Sequence, residues 1–195
     1  MSPSSPSPSP SSAGPLPVVI VLAAGRGERF AASGGATHKL AALLAGQPVL
    51  GHVLAAVRAS GLPHHVVQAD ASRPGMGDSI AAGVRATPGA AGWLILPADL
   101  PLVRGDTLRA VAAALGPQAV AVPVYRGERG HPVGFSAACR DALLALKGNQ
   151  GAAPVLRAYQ AMNSIAIVET DDVGIVTDVD TVEDLARAEA LLAAR

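Results

Sequence analysis

Residues 17–24 read PVVIVLAA, and Gly25 and Gly27 follow at once. A short unbroken run of β-branched residues fits a strand buried on both faces of a parallel sheet. Parallel strands need crossover connections, which are usually helices. The rest of the chain supplies them. Apolar runs at HHVVQAD (64–70), WLILPAD (93–99), QAVAVPVY (118–125) and SIAIVE (164–169) predict further strands, and HPVGFS (131–136) and GIVTDV (174–179) are short candidates. Helical patterns lie between them at 49–59, from Asp78 onward, 107–115, 137–146, 150–161 and 181–194. In the last, Leu185, Ala188, Leu191 and Leu192 share one face. Strands alternating with helices predict a layered α/β fold, with helices on both faces of a mostly parallel sheet.

Residues 1–16 are not core material. They are dominated by Ser and Pro and carry no aromatic or charged side chain, so they predict a disordered tail ahead of one domain at 17–195. The stretch has neither the basic start nor the apolar centre of a secretory leader. Fifteen basic and fifteen acidic residues balance to zero formal charge. No basic patch points to nucleic acid and no polybasic helix to lipid. No apolar run approaches the roughly 18 residues that span a bilayer. A single cysteine, Cys139, leaves no internal disulfide and agrees with a cytoplasmic protein.

Ligands in such sheets bind beyond the carboxyl ends of the strands, so the loop after the first strand is the first candidate site. Gly25 and Gly27 free the backbone to present N–H groups to an anion. Arg26, Arg29 and Lys39 add charge suited to phosphate. The spacing is neither a P-loop nor a dinucleotide fingerprint. Farther on, LILPADLPLV (94–103) places one carboxylate, Asp99, in an apolar run between two prolines. A carboxylate there calls for a hydrogen-bonding partner, a proton or a metal.

The segments LAAGRGERF…HKL, GMGDSIAAGV, LPADLPLV, RGHPVGFS, GNQGAAPVL and VTDVDTVED follow in order from Val18 to Asp184. In that order the chain resembles the nucleotidyltransferases that move an NMP group from an NTP. Among them it looks like the branch acting on molybdopterin, the molybdenum cofactor cytidylyltransferases and their guanylyltransferase relatives. The resemblance implies a three-layer, Rossmann-like single domain. It implies Mg²⁺ on Asp99 and Asp180, with Asp178 as the neighbouring competitor and helix capping as the other role open to Asp180. It implies catalytic roles for Lys39, Arg29 and Asp99, and a nucleotide site built from Ala23, Ala24, Gly25, Arg26, Gly27, Arg29, Lys39, Asp78, Ser79 and Asp99. Ser79 either meets the base edge or caps its helix. His131 either touches the acceptor phosphate or orients its loop. Ala23-Ala24-Gly25, rather than Ala-Gly-Gly, resembles the CTP-using members.

The expected reaction is CMP transfer from CTP to the terminal phosphate of molybdopterin, with a molybdoenzyme as eventual client. GTP as donor, or another phosphorylated acceptor, are alternatives of the same class. One departure stands out. Where the family commonly shows Gly-Asp-x-Gly-Ala-Arg, this chain has Asn149 and Ala153 in place of the Asp and Arg. That loss of charge alters the acceptor side and is the main support for a non-catalytic cofactor chaperone.

Overall fold

The computed structural model describes residues 15–70 and 75–195. The predicted tail lies outside the described residues as far as residue 14, as does the Pro74 break. Leu16 is already tied in, its carbonyl accepting the Ala91 N–H at 3.3 Å.

The elements in chain order are β1 (Val18–Ala23), α1 (Glu28–Ala32), β2 (Leu43–Leu44), β3 (Gln47–Pro48), α2 (Val49–Ser60), β4 (His64–Gln68), α3 (Met76–Ala86), β5 (Gly92–Pro97), α4 (Gly105–Ala114), β6 (Val120–Tyr125), β7 (Glu128–Arg129), β8 (Val133–Ser136), α5 (Arg140–Leu144), α6 (Ala153–Ala161), β9 (Ile165–Glu169) and α7 (Val182–Ala193). The main sheet runs β4-β1-β5-β8-β6-β7, with β9 on the other side of β6. β4, β1 and β5 pair in parallel, as do β6 and β9, whereas β8 lies antiparallel between β5 and β6. This is the mostly parallel α/β sheet expected of the sequence.

Strand alternation builds the three layers. From β1, Val19 and Val21 enter one core with Val49, Val53 and Val57 of α2, Leu108 and Val111 of α4 and Ala188 of α7. Val18 and Ile20 enter the opposite core with Ile80 and Val84 of α3, Leu143 of α5 and Val155 of α6. Every one of these side chains is buried.

Three expectations need correction. GIVTDV is not a strand, because Val173–Val176 form a 3-10 turn. Its apolar pattern serves packing, since Gly174 lies so close to Leu102 that an added Cβ would sit 2.1 Å from the Leu102 carbonyl oxygen. The edges of β6 are already taken by β7, β8 and β9. The helix expected from Asp78 begins at Met76, directly after Gly75. The helix expected from Gln150 begins at Ala153, behind a 3-10 turn at Gly148–Gln150.

The last helix is capped as its sequence suggests, but by Thr181. The Thr181 hydroxyl accepts the Asp184 N–H at 3.1 Å, and Asp184 accepts the Thr181 N–H at 2.9 Å. Burial pushes the Asp184 carboxyl up, but the Thr181 hydroxyl and the Asp180 and Thr181 N–H groups outweigh it and hold it below the usual aspartate value. A carboxylate with a lowered folded pKa stabilises above its unfolded value near 3.8, and that contribution fades as pH falls through the folded pKa. Asp184→Ala is therefore expected to lower stability by about 1 kcal/mol at neutral pH. The gap in urea midpoint between variant and wild type should narrow on acidification below the unfolded aspartate pKa; a pH-independent gap would remove the charge from the argument.

Candidate active site

Parallel pairing sets the site. β1 and β5 run side by side with Leu22 opposite Pro97, so the glycine loop after β1 and the Asp99 turn after β5 emerge at the same sheet edge. The Ala98 N–H donates to the Leu22 carbonyl at 3.1 Å and continues that alignment one residue past the strand. The third part arrives from far along the chain. The Val179 N–H donates to the Asp99 carbonyl at 2.9 Å, which lays the Asp178–Asp180 segment against the Asp99 turn. Between them opens a cleft of about 920 Å³, within the range of pockets that take small-molecule substrates.

Charges converge in this cleft. The Lys39 ammonium donates to Asp99 Oδ2 at 2.6 Å and to Asp180 Oδ1 at 2.8 Å. Arg29 pairs with the other oxygen of Asp180 at 2.6 Å. The Lys39, Asp99 and Asp180 side chains are only 10, 20 and 15% exposed, so water screens them weakly. Burial lowers the Lys39 pKa, yet Asp99 and Asp180 outweigh it and hold the amine above its usual value, fully protonated. Asp178 lines the same cleft. Burial pushes its carboxyl up, and the negative charges of Asp180 and Asp99 add to the effect. It is thus Asp180, not Asp178, that shares an ammonium with Asp99. With Thr181 serving as the α7 cap, the Asp180 carboxylate is left to face the cleft.

Two carboxylates that share one ammonium form a site built for a cation. Mg²⁺ commonly takes one or two protein carboxylates and fills its remaining positions with water and substrate phosphate. Asp99 and Asp180 fit that donor set. Among the described residues there is no cluster of three or more His, Cys, Asp or Glu side chains that would form an all-protein cage.

The glycine loop is held by a residue the sequence reading passed over. His38 Nδ1 accepts the Leu40 N–H at 3.3 Å, so the ring proton belongs on Nε2, which donates to the Gly25 carbonyl at 2.9 Å. His38 precedes Lys39 in the HKL segment, so one short turn both braces the loop and delivers the ammonium. Gly27 is in the left-handed region at φ 68°, and a Cβ there would meet the His38 ring at 3.3 Å, so both conformation and space favour glycine. Ala24, Gly25, Arg26, Gly27 and Arg29 line the cleft. Ala23, the last residue of β1, does not, because strand alternation turns it away between Leu22 and Ala24.

Two further expectations change. Asp78 does not line the cleft, because its carboxylate accepts the Gly148 N–H at 3.0 Å. It fastens the 148–150 turn to the start of α3, and Gly75 permits that approach, since a Cβ there would lie 2.3 Å from the Gly148 backbone. Asn149 is thereby brought into the cleft wall beside Gly75 and Met76. Ser79 lines the cleft but is only 2% exposed, and its hydroxyl donates to the Gly75 carbonyl at 3.2 Å. Ser79 is thus not a cap: its hydroxyl bonds back to the carbonyl four residues earlier, which takes its proton and leaves only oxygen lone pairs for a ligand. His131 also lines the cleft. Burial lowers its pKa against the opposing pull of the Ile95 carbonyl, Asp99 and Asp178, so the imidazole is neutral at pH 7. Its Nδ1 is buried and has no hydrogen-bond partner among the described residues.

Comparison with known proteins agrees with this architecture. Residues 19–163 match the model of the MobA-like NTP transferase domain. The chain is 38% identical over 122 residues to the purine catabolism protein PucB of Bacillus subtilis (strain 168), covering 62% of this chain and 58% of PucB. It is 32% identical over 142 residues to the bifunctional protein GlmU of Stenotrophomonas maltophilia (strain R551-3), covering 62% of this chain and 30% of that protein. The chain thus spans little more than half of the first relative and under a third of the second. Among solved structures, a nucleotidyl transferase from Methanothermobacter (Mth528) superposes with a TM-score of 0.78 at 24% identity, covering 93% of this chain and 100% of that one. Rv0371c of Mycobacterium tuberculosis H37Rv superposes with a TM-score of 0.74 at 24% identity, covering 91 and 99%; its manganese complex gives 0.70 at 21%, covering 91 and 100%. At these identities the structures speak for the fold. A match over most of the described chain, on a sheet whose loops gather cations and carboxylates at one edge, shows that the chain belongs to the family of MobA-like NTP transferase domains.

Proposed function

We propose that the protein transfers CMP from CTP to the terminal phosphate of molybdopterin and releases pyrophosphate, acting in the cytoplasm and supplying a molybdoenzyme. The observation that carries this reading is the junction of Lys39 with Asp99 and Asp180 beneath the Gly25–Gly27 loop. It joins a polyanion grip to a cation site, as a metal–triphosphate substrate demands. Cofactor carriage alone asks for neither, so the chaperone reading is set aside. CTP and molybdopterin rest on the ordered motifs and on the Ala23-Ala24-Gly25 turn.

An oxygen of the acceptor phosphate forms the new bond to the α-phosphorus of CTP. The bond from that phosphorus to the α–β bridging oxygen breaks, and its electron pair leaves with pyrophosphate. The acceptor phosphate is already ionised, so no general base is required, and the neutral His131 is not asked to take a proton. Mg²⁺ on Asp99 and Asp180 would supply neutralisation of phosphate charge. Arg26, Arg29 and the backbone of the glycine loop hold the triphosphate, and Lys39 meets the charge that accumulates on the leaving pyrophosphate. Catalysis is then positioning and electrostatic stabilisation in a weakly screened cleft.

The test is calorimetric titration with CTP and GTP, with Mg²⁺ and with EDTA, joined to pyrophosphate release with molybdopterin as acceptor. Tighter Mg²⁺-dependent binding of CTP and its turnover are expected. A preference for GTP would reassign the donor, and absence of metal-dependent binding of either would favour the chaperone.

A further inference from the structure

The proposed reaction brings two polyanions together, and the cations nearest the glycine loop, assigned above to the triphosphate, also share their charge with carboxylates. Arg29 and Lys39 are held by carboxylates, and Arg26 pairs with Glu28 at 3.6 Å. The positions where the family pattern carries acceptor-side charge offer only the amide of Asn149 and the methyl of Ala153. One cation on the cleft wall differs from the others. Arg129, in β7, lines the cleft and has no carboxylate partner among the described residues. Its guanidinium donates to Gln160 Oε1 of α6 at 3.1 Å. A neutral amide orients the group without cancelling its charge, and most of its five N–H donors remain free.

The wall that carries Arg129 is tied down on both sides. The Gly130 N–H donates to the Pro123 carbonyl at 2.9 Å and the His131 N–H to the Ile175 carbonyl at 3.0 Å. The His131 ring feels the charges of Asp99 and Asp178, so this wall starts beside the reacting centre. Arg129 stands two residues farther out, at most about 7 Å along an extended chain. A guanidinium there meets an anion approaching from the side opposite the glycine loop.

We propose that Arg129, braced by Gln160, is the residue that binds the phosphate of the acceptor substrate. This rests on the nucleotidyl-transfer reading above for the identity of the acceptor, but not for the existence of the anion subsite. Arg129 therefore sets acceptor affinity through a phosphate-shaped fork, in place of the charge absent at position 153.

The test follows the Arg129 Nε–H signal by NMR, assigned by its loss in Arg129→Ala, while inorganic phosphate is titrated with and without a saturating non-hydrolysable CTP analogue and Mg²⁺. In the nucleotide-loaded protein the Arg129 signal should shift. Arg129→Ala should weaken phosphate binding by about tenfold, the loss of a charge-assisted pair of hydrogen bonds. Arg129→Lys should recover part of that loss, and affinity for the CTP analogue should stay unchanged in both variants. An unmoved Arg129 signal, or unaltered phosphate affinity in Arg129→Ala, overturns the proposal. Failure of the CTP analogue to bind would instead overturn the donor reading, and the titration without nucleotide would still decide Arg129.

Discussion

Asp99→Asn is expected to reduce pyrophosphate release by about a thousandfold while leaving the fold in place, on the scale of losing one electrostatic contact at a phosphoryl-transfer centre. The substitution keeps shape and removes charge. Structurally little depends on that charge. The bond that sets the 99 and 179 segments side by side runs from the Val179 N–H to the Asp99 main-chain carbonyl, which an asparagine retains. The side chain stands in the cleft, not in either core. Chemically much depends on it. One of the two carboxylates that would hold the cation is lost, and Lys39, now balanced by Asp180 alone, is pulled from its shared position. Metal-dependent CTP binding should weaken in parallel. Near-wild-type turnover, with an unchanged circular dichroism spectrum and urea midpoint, would remove Asp99 from the mechanism.

The largest stability effect is expected at Asp172, away from the chemistry. Its side chain is fully buried. One oxygen accepts the Arg104 N–H at 2.8 Å and the Thr107 hydroxyl at 2.7 Å. The other accepts the Gly174 N–H at 3.0 Å and lies 3.4 Å from the Arg195 guanidinium. This one carboxylate joins the start of α4, the 173–176 turn and the end of the chain. Asp172→Ala leaves these donors unpaired in a dry site and should cost about 3–5 kcal/mol. Asp172→Asn should cost less, because an amide oxygen still serves two of the donors. Urea midpoints measure both. The turn that Asp172 holds leads directly into Asp178 and Asp180, so Asp172→Ala should also weaken CTP binding at temperatures where it remains folded. An alanine variant as stable as wild type would show that the carboxylate is dispensable.

Much of the architecture could be read locally. A strand's faces follow from alternation, so Val18 and Ile20 against Val19 and Val21 already encode two cores. The glycine loop, Lys39 and Asp99 were legible because strand ends in such sheets are where ligands bind. GIVTDV was misread because an apolar run reports burial, not pairing, and here burial is against Leu102. The resemblance places Asp78 and Ser79 in the nucleotide site, Ser79 at the base edge, but their hydrogen bonds go to Gly148 and Gly75. Arg129 and His38 went unremarked since nothing in their neighbours along the chain reveals a partner.

Periodicity and the glycines at a strand end determine the layered sheet, because each is a property of residues close in sequence, and the order of motifs from Val18 to Asp184 carries the family resemblance. The freeing of Asp180 by the Thr181 cap and the ammonium shared across 60 and 141 residues of chain belong to the tertiary structure alone. They depend on which backbones the sheet brings side by side, and Coulomb interactions decided at a few ångströms leave no trace in local sequence.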